Sequence, residues 1–189
     1  LSHSTWIAER HKSSIFTFQF TDLLYKEQSK YQLIEIVETP DWGRVLMLDG
    51  CLMITERDEF FYHETIAHLP MSLLLSPQKA LVIGGGDGGT LRELNKYQSL
   101  KEIFLVEIDE KVISASKEYL PFTACGFEDE RVKIYAEDAA SFLKDERLQS
   151  NSVDLIICDC SDPEGFAEVL IGEDFYSDAK NILTEKGIF

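Results

Sequence analysis

The sequence predicts an α/β chain. A small antiparallel β domain, residues 1–58, precedes a parallel, helix-covered sheet, residues 59–189, which reads as incomplete at its C-terminal end. Three observations carry this. Residues 13–58 hold β-branched and aromatic runs separated by turn signals. From residue 59 onward, short apolar runs alternate with helix-like segments, as in a parallel sheet covered on both faces. The closing Gly187-Ile188-Phe189 looks like the opening of a further strand, and the chain begins at Leu1 rather than Met, so both ends read as cut.

In the first region, Ser14–Phe20 and Tyr31–Val37 are strand-like, the latter bounded by Pro40-Asp41-Trp42-Gly43. Arg44–Leu48 and Cys51–Thr55 flank Asp49-Gly50. Asp-Gly between apolar runs signals a hairpin, because a type I′ turn needs positive φ at both central residues. In the second region, Asp58 can cap a helix from Glu59 to about Leu69, ended by Pro70. Strands are expected at Lys79–Ile83, Glu102–Val106, Val132–Tyr135 and Val153–Cys158. Helices are expected at Gly88–Tyr97, Glu110–Tyr119, Ala139–Glu146 and Asp174–Leu183. Met47 and Met53 read as core.

Composition narrows the function classes. With 34 Asp+Glu against 18 Lys+Arg, the net charge is −16, which argues against a nucleic-acid partner. A 44% hydrophobic and 11% aromatic content is enough for a core, so the chain is not a disordered acidic tail. No apolar run approaches the roughly 18–20 residues of a membrane span, and with no basic stretch leading into an apolar one at the start, no signal peptide is expected. A cytoplasmic protein is expected, with Cys51, Cys125, Cys158 and Cys160 as free buried thiols.

The chemistry is expected where strands end. Gly84-Gly85-Gly86-Asp87-Gly88-Gly89 follows the first strand of the parallel sheet and opens a helix; Gly84, Gly86 and Gly89 satisfy G-x-G-x-x-G. Glu107 closes the next strand, where an acid accepts hydrogen bonds from ribose hydroxyls. A dinucleotide would bring a pyrophosphate to the helix start, and Asp87 would repel it. A phosphate-free nucleoside with a cationic sulfonium fits instead, making this a Rossmann-like, S-adenosyl-cofactor-binding sheet. Asp138, after the third strand, can accept from an adenine amino group, cap a helix, or do both. The fourth strand ends in Asp159-Cys160-Ser161-Asp162-Pro163. Acids gathered in one crevice repel one another unless a cation arrives, so the pocket is expected to take a cationic ligand, a polycation above all. His63 and His68 lie about 140° apart on a helix, which disfavours a shared metal, and none is expected.

The ordered set Leu48-Asp49-Gly50, Thr55-Glu56-Arg57-Asp58-Glu59, Tyr62-His63-Glu64, Gly84–Gly89, Glu107-Ile108-Asp109 and Asp159–Pro163 resembles spermidine synthase, of the polyamine aminopropyltransferase family. The similarity runs from about Trp6 to the last residue. The resemblance implies an enzyme of spermidine biosynthesis. It has no prosthetic group and uses decarboxylated S-adenosylmethionine as co-substrate and putrescine or a similar diamine as acceptor. It also implies a homodimer or homotetramer formed through the N-terminal sheet. Carried over by position, the co-substrate would contact Gln32, His63, Gly84, Gly86, Asp87, Glu107, Asp138 and Ala139. The diamine would contact Tyr62, Asp159, Cys160, Ser161 and Asp162, with Asp159 as catalytic base. The chain departs from the family after Asp-Pro, where Glu164-Gly165 leads into Phe166 instead of Gly-Pro, and the family's chain is about a third longer.

Read from the residues alone, His63 can be a plain helix histidine, Tyr62 can be core, and Gln32 is balanced between a ligand contact and a solvent-facing strand position. Two other functions stand beside aminopropyl transfer. One is an S-adenosylmethionine-dependent amine N-methyltransferase; the other is a non-catalytic nucleotide- or polyamine-binding module. Asp87 separates the first two. It can pair with the lone propylammonium of the decarboxylated compound and should repel the carboxylate of S-adenosylmethionine.

Overall fold

The computed structural model describes residues 5–145, 147–160 and 165–189. A two-stranded antiparallel sheet comes first: β1 (Thr5–His11) pairs with β2 (Ser14–Phe20). A four-stranded antiparallel sheet follows, in the order β3 (Asp22–Gln28), β4 (Leu33–Thr39), β5 (Gly43–Leu48), β6 (Cys51–Thr55). Asp49 and Gly50 have φ of 49° and 79°, and Leu48 pairs with Cys51, so the expected two-residue hairpin is present.

Next comes α1 (Glu59–Leu73), then β7 (Lys79–Gly84), α2 (Gly89–Leu94), β8 (Glu102–Val106), α3 (Glu110–Tyr119), the short α4 (Pro121–Ala124), β9 (Val132–Tyr135), the short α5 (Ala139–Phe142), β10 (Val153–Asp159), α6 (Glu173–Ile182) and β11 (Leu183–Ile188). The five strands form one parallel sheet in the order β11-β10-β7-β8-β9. Strand order reverses beside β7, so a crevice opens between the carboxyl ends of β7 and its neighbours, where α/β sheets bind ligands.

Both faces of this sheet are covered. Leu81, Ile83, Phe104 and Ile156 pack against Phe142, Phe175, Ala179 and Ile182 from α5 and α6. Ala80, Val82, Ile103, Leu105, Leu155 and Ile157 pack against Ala67 and Met71 of α1, Leu91 and Leu94 of α2, and Ile113 of α3. The four-stranded sheet docks through Ile34, Ile36, Leu46 and Ile54 onto Val112, Ala115 and Leu120, with Met53 at the margin; Met47 is buried in a separate cluster.

Several boundaries depart from expectation for physical reasons. Pro70 does not end α1. Buried Glu59, His63, Ala67 and Met71 repeat every four residues, and the docking of Met71 holds the last turn past the proline. Helix α2 stops at Leu94 rather than Tyr97. The chain tightens into i→i−3 bonds (Lys96 N to Glu93 O, Tyr97 N to Leu94 O), and Arg131 donates to the carbonyls of Asn95, Tyr97 and Leu100. Helix α5 is a single turn ending at Phe142; Glu146, its expected end, lies outside the described residues. Strands β1 and β3 were not expected, and β4 begins two residues later than Tyr31. Cys51 and Cys125 are exposed rather than buried, one beside the hairpin turn and the other on the turn after α4. No helix among the described residues is long and apolar enough to cross a membrane.

Candidate active site

The glycine loop leaves β7 against β10. Gly84 pairs with Asp159, and Gly85 N–H donates to the Asp159 carbonyl at 2.8 Å. Gly84 has φ +78°, and a Cβ there would lie 2.1 Å from that carbonyl oxygen, so glycine is required by the neighbouring strand. A Cβ on Gly86 would meet the Glu107 carboxylate at 2.9 Å. Gly89 is the tightest case on the helix side: its Cβ would fall 2.2 Å from His63 Cε1. The motif therefore makes room for the site's own side chains as well as for a ligand.

Asp87 folds back over the start of α2. Its Oδ1 accepts from Gly89 N–H at 2.7 Å and lies 3.3 Å from His63 Nε2, off the line of a hydrogen bond. Asp159, partly buried at the end of β10, uses both oxygens: Oδ1 accepts from Tyr62 O–H at 2.7 Å and Oδ2 from Thr90 O–H at 2.6 Å. Burial and the nearby Asp87 carboxylate raise its pKa, against the pull of Thr90, Tyr62 and His63. Burial, then the Asp159 charge, raises the Tyr62 phenol, which therefore stays a donor. Tyr62 is 47% exposed, so it is a pocket wall and not core.

Glu107 is 8% exposed, and its Oε1 accepts from Asp109 N–H at 2.9 Å. Burial pushes its carboxyl up to about 7; the charges of Asp109 and Asp159 push the same way, against backbone N–H groups of Asp109 and Gly86. Gln32 does not face solvent. It donates to Asp109 Oδ2 at 3.1 Å, beside Ser29 at 2.6 Å, so the antiparallel sheet is latched to the parallel one next to Glu107. Asp138 is exposed beyond the edge strand β9, and its Oδ1 accepts from Ser141 N–H at 2.8 Å as a helix cap; Ala139 behind it is buried. Cys160 lies partly buried with Sγ 3.3 Å from the Ile83 carbonyl and 3.6 Å from Cys158 Sγ. Ser161 and Asp162 lie outside the described residues, as do Pro163 and Glu164.

His63 is fully buried, with Nδ1 2.6 Å from Glu59 Oε2. Arg92 grips both oxygens of Glu59 at 2.7 and 2.9 Å, and also reaches Glu93 and the Phe122 carbonyl. Sequence reasoning missed Arg92 and Thr90, and quoted Glu59 and Asp109 within motifs without giving either a role. The one local signal for Glu59 was its i, i+4 spacing from His63. One donor atom from each of His63, Asp87 and Asp159 lies within 4.8 Å of the others. Burial disfavours a charged ring, yet the Asp87 and Glu59 carboxylates outweigh it and raise His63 to about 10. The two carboxylates of the trio give it the charge to pair with a cation.

Residues 59–189 match the spermine/spermidine synthase domain, and residues 5–56 match the spermidine synthase tetramerisation domain. The chain belongs to the spermine/spermidine synthase family. It is 47% identical over 184 residues to a polyamine aminopropyltransferase of Clostridium botulinum (strain Alaska E43 / Type E3), covering 97% of this chain and 64% of the relative. It is 44% identical over 172 residues to polyamine aminopropyltransferase 1 of Aquifex aeolicus (strain VF5), covering 91% and 60%. A crystal structure of spermidine synthase in complex with the transition-state analogue AdoDATO superposes with a TM-score of 0.93 at 42% identity, over 99% of this chain and 64% of that one. Spermidine synthase from Thermotoga maritima gives 0.89 at 40%, over 99% and 62%. The chain thus spans slightly less than two thirds of the length of these family members.

Proposed function

We propose that the site transfers the propylamine group of decarboxylated S-adenosylmethionine to putrescine, giving spermidine and methylthioadenosine. The observation that carries this reading is a carboxylate, Asp87, held at the start of α2 where a dinucleotide enzyme would place phosphate. Held there it attracts a cationic arm and repels an anionic one. In this reading Glu107 accepts the ribose hydroxyls, Asp138-Ala139 borders the adenine, and Gln32 acts through Asp109, which it holds beside Glu107. Family membership supports the same class of chemistry, since the relatives are named for it.

The amine nitrogen attacks the propyl carbon beside the sulfonium. The new C–N bond forms as the C–S bond breaks, and sulfur leaves as a neutral thioether. Only the free amine can attack. A primary alkylamine resembles lysine, with a pKa of about 10.4, so deprotonation at pH 7 costs roughly 4–5 kcal/mol. Asp159 takes the proton. Its raised pKa makes it a better base than an exposed aspartate, and Tyr62 and Thr90 fix its orientation.

The two-stranded N-terminal sheet exposes Trp6, Ile15 and Phe16, and β3 of the four-stranded sheet exposes Leu23. With the tetramerisation-domain match, this supports a homodimer or homotetramer formed through the N-terminal β region. A cytoplasmic location fits the same reading.

Incubating the chain with putrescine and each adenosyl compound tests the proposal. Methylthioadenosine formed from the decarboxylated compound is the expected product; adenosylhomocysteine formed from S-adenosylmethionine would establish the methyltransferase instead. Glu107 adds a pH dependence. Ribose hydroxyls bind the carboxylate, not the acid, and the free group titrates at about 7. The affinity for methylthioadenosine is therefore expected to fall as pH drops from 8 to 6, and to be flat over that range in Glu107→Gln. Calorimetric titration checks both.

A further inference from the structure

The pocket that is to receive a cation already contains one. His63 has no accessible surface, and its Nδ1 is bonded to Glu59 at 2.6 Å. Its Nε2 is buried without a hydrogen-bond partner and stands 3.3 Å from Asp87 Oδ1. A carboxylate oxygen this close favours the charged ring over the neutral one, even off the line of a hydrogen bond, so the geometry favours a proton on Nε2. The absence of a Cβ on Gly89 reserves the space for the ring. Glu59 cannot swing away, because two N–H groups of Arg92 hold its oxygens.

We propose that His63 is the resident cation of the acidic pocket, that Glu59 is the positioning residue that keeps its Nδ1–H in place, and that an ammonium pairing with Asp87 expels the Nε2 proton to solvent. Glu59 holds Nδ1–H in both states, so Nε2 is the atom that exchanges. Once deprotonated, Nε2 becomes an acceptor for an ammonium N–H. One positive charge replaces another, and the pocket's net charge is unchanged. The charged groups facing the ring are Glu59 from α1, Asp87 from the glycine loop, Asp159 from β10, and Arg92 from α2 behind Glu59; the Tyr62 ring stands edge-on at 5.3 Å. His63 titrating at about 10 leaves the ring charged across the neutral range. The exchange step rests on the aminopropyltransferase reading; the role of Glu59 does not.

Two measurements test this. In chain labelled with ¹⁵N-histidine, with the His63 signal assigned by its loss in His63→Gln, both ring nitrogens are expected to be protonated at pH 8. Glu59→Gln is expected to lower the titration midpoint by at least one pH unit. A neutral His63 at pH 8 in the unaltered chain, or a midpoint that Glu59→Gln leaves unmoved, would overturn the assignment. The second measurement is calorimetry at pH 8.5 in two buffers of different ionisation heat. There Glu107 is already ionised, so methylthioadenosine is expected to release no proton and decarboxylated S-adenosylmethionine up to one. Binding of the latter without proton release overturns the exchange. Absence of binding overturns the exchange together with the functional reading, while the ¹⁵N titration still decides the role of Glu59.

Discussion

Asp159→Asn is expected to lower aminopropyl transfer by two to four orders of magnitude, about 3–5 kcal/mol in barrier, without lowering thermal stability. The asparagine keeps the shape and one acceptor oxygen but cannot take a proton from the amine. It also replaces a carboxylate oxygen with an N–H₂ opposite Tyr62 or Thr90, whose hydroxyls now hold Asp159 on both sides. The stability half follows from the direction of the pKa shift. A carboxyl whose folded pKa is raised favours the fold most below its unfolded value and loses that advantage as pH rises through the folded value. At pH 8 the native carboxylate is therefore a burden on the fold, which the amide lacks. A variant with full activity would remove the base assignment. One that is inactive and also unfolds earlier would point to a structural role.

Arg92→Leu is expected to have the largest effect on folding. Glu59 and Glu93 have side chains only 6% and 1% exposed, and Arg92 binds both. Their carboxyls lie below the usual range: burial pushes them up, but His63 and Arg92 outweigh it for Glu59, as do Lys96 and Arg92 for Glu93. Removing the guanidinium leaves two buried carboxylates short of a counter-charge. Breaking a buried pair costs about 3–5 kcal/mol. Arg92 is 20% exposed, so water screens part of that, and about 3 kcal/mol is expected, or roughly 6–12 °C in Tm for a chain of this size. The sign with pH is fixed. Carboxyls with depressed pKa stabilise the fold above their unfolded value and lose that contribution as pH falls through the folded one. The gap between native and variant should therefore narrow below about pH 4.5. Thermal melts at pH 4 and pH 8 check this; an equal gap at both would show that Arg92 acts by packing alone.

What was legible in the sequence was local. Asp49-Gly50 names its own turn, the glycine loop lies between a strand and a helix, and the apolar runs at 79–83 and 153–158 can only be buried strands. From these the sheet follows, and with it the nearness of Asp87, Glu107 and Asp159. What was not legible depends on residues far apart in the chain. Arg92 meets Glu59 across 33 positions, Gln32 meets Asp109 across 77, and Thr90 meets Asp159 across 69. No spacing rule reaches that far. Strands β1 and β3 escaped because TWIAERH and DLLYKEQ carry charges, and the turn between β1 and β2 passes through Lys12 at φ 48° where a glycine would have announced it. Pro70 was misleading because its effect on the backbone is local, while the burial of Met71 is not.

In the proposed reaction Asp87, the carboxylate in the glycine loop, selects a cationic arm. The measurement that tests it most directly is the affinity of the chain for decarboxylated S-adenosylmethionine relative to S-adenosylmethionine, before and after Asp87→Asn. The expected result is a clear preference for the decarboxylated compound that narrows at least tenfold in the variant, about 1.4 kcal/mol or more. An affinity ratio that Asp87→Asn leaves unchanged would show that Asp87 does not select the arm.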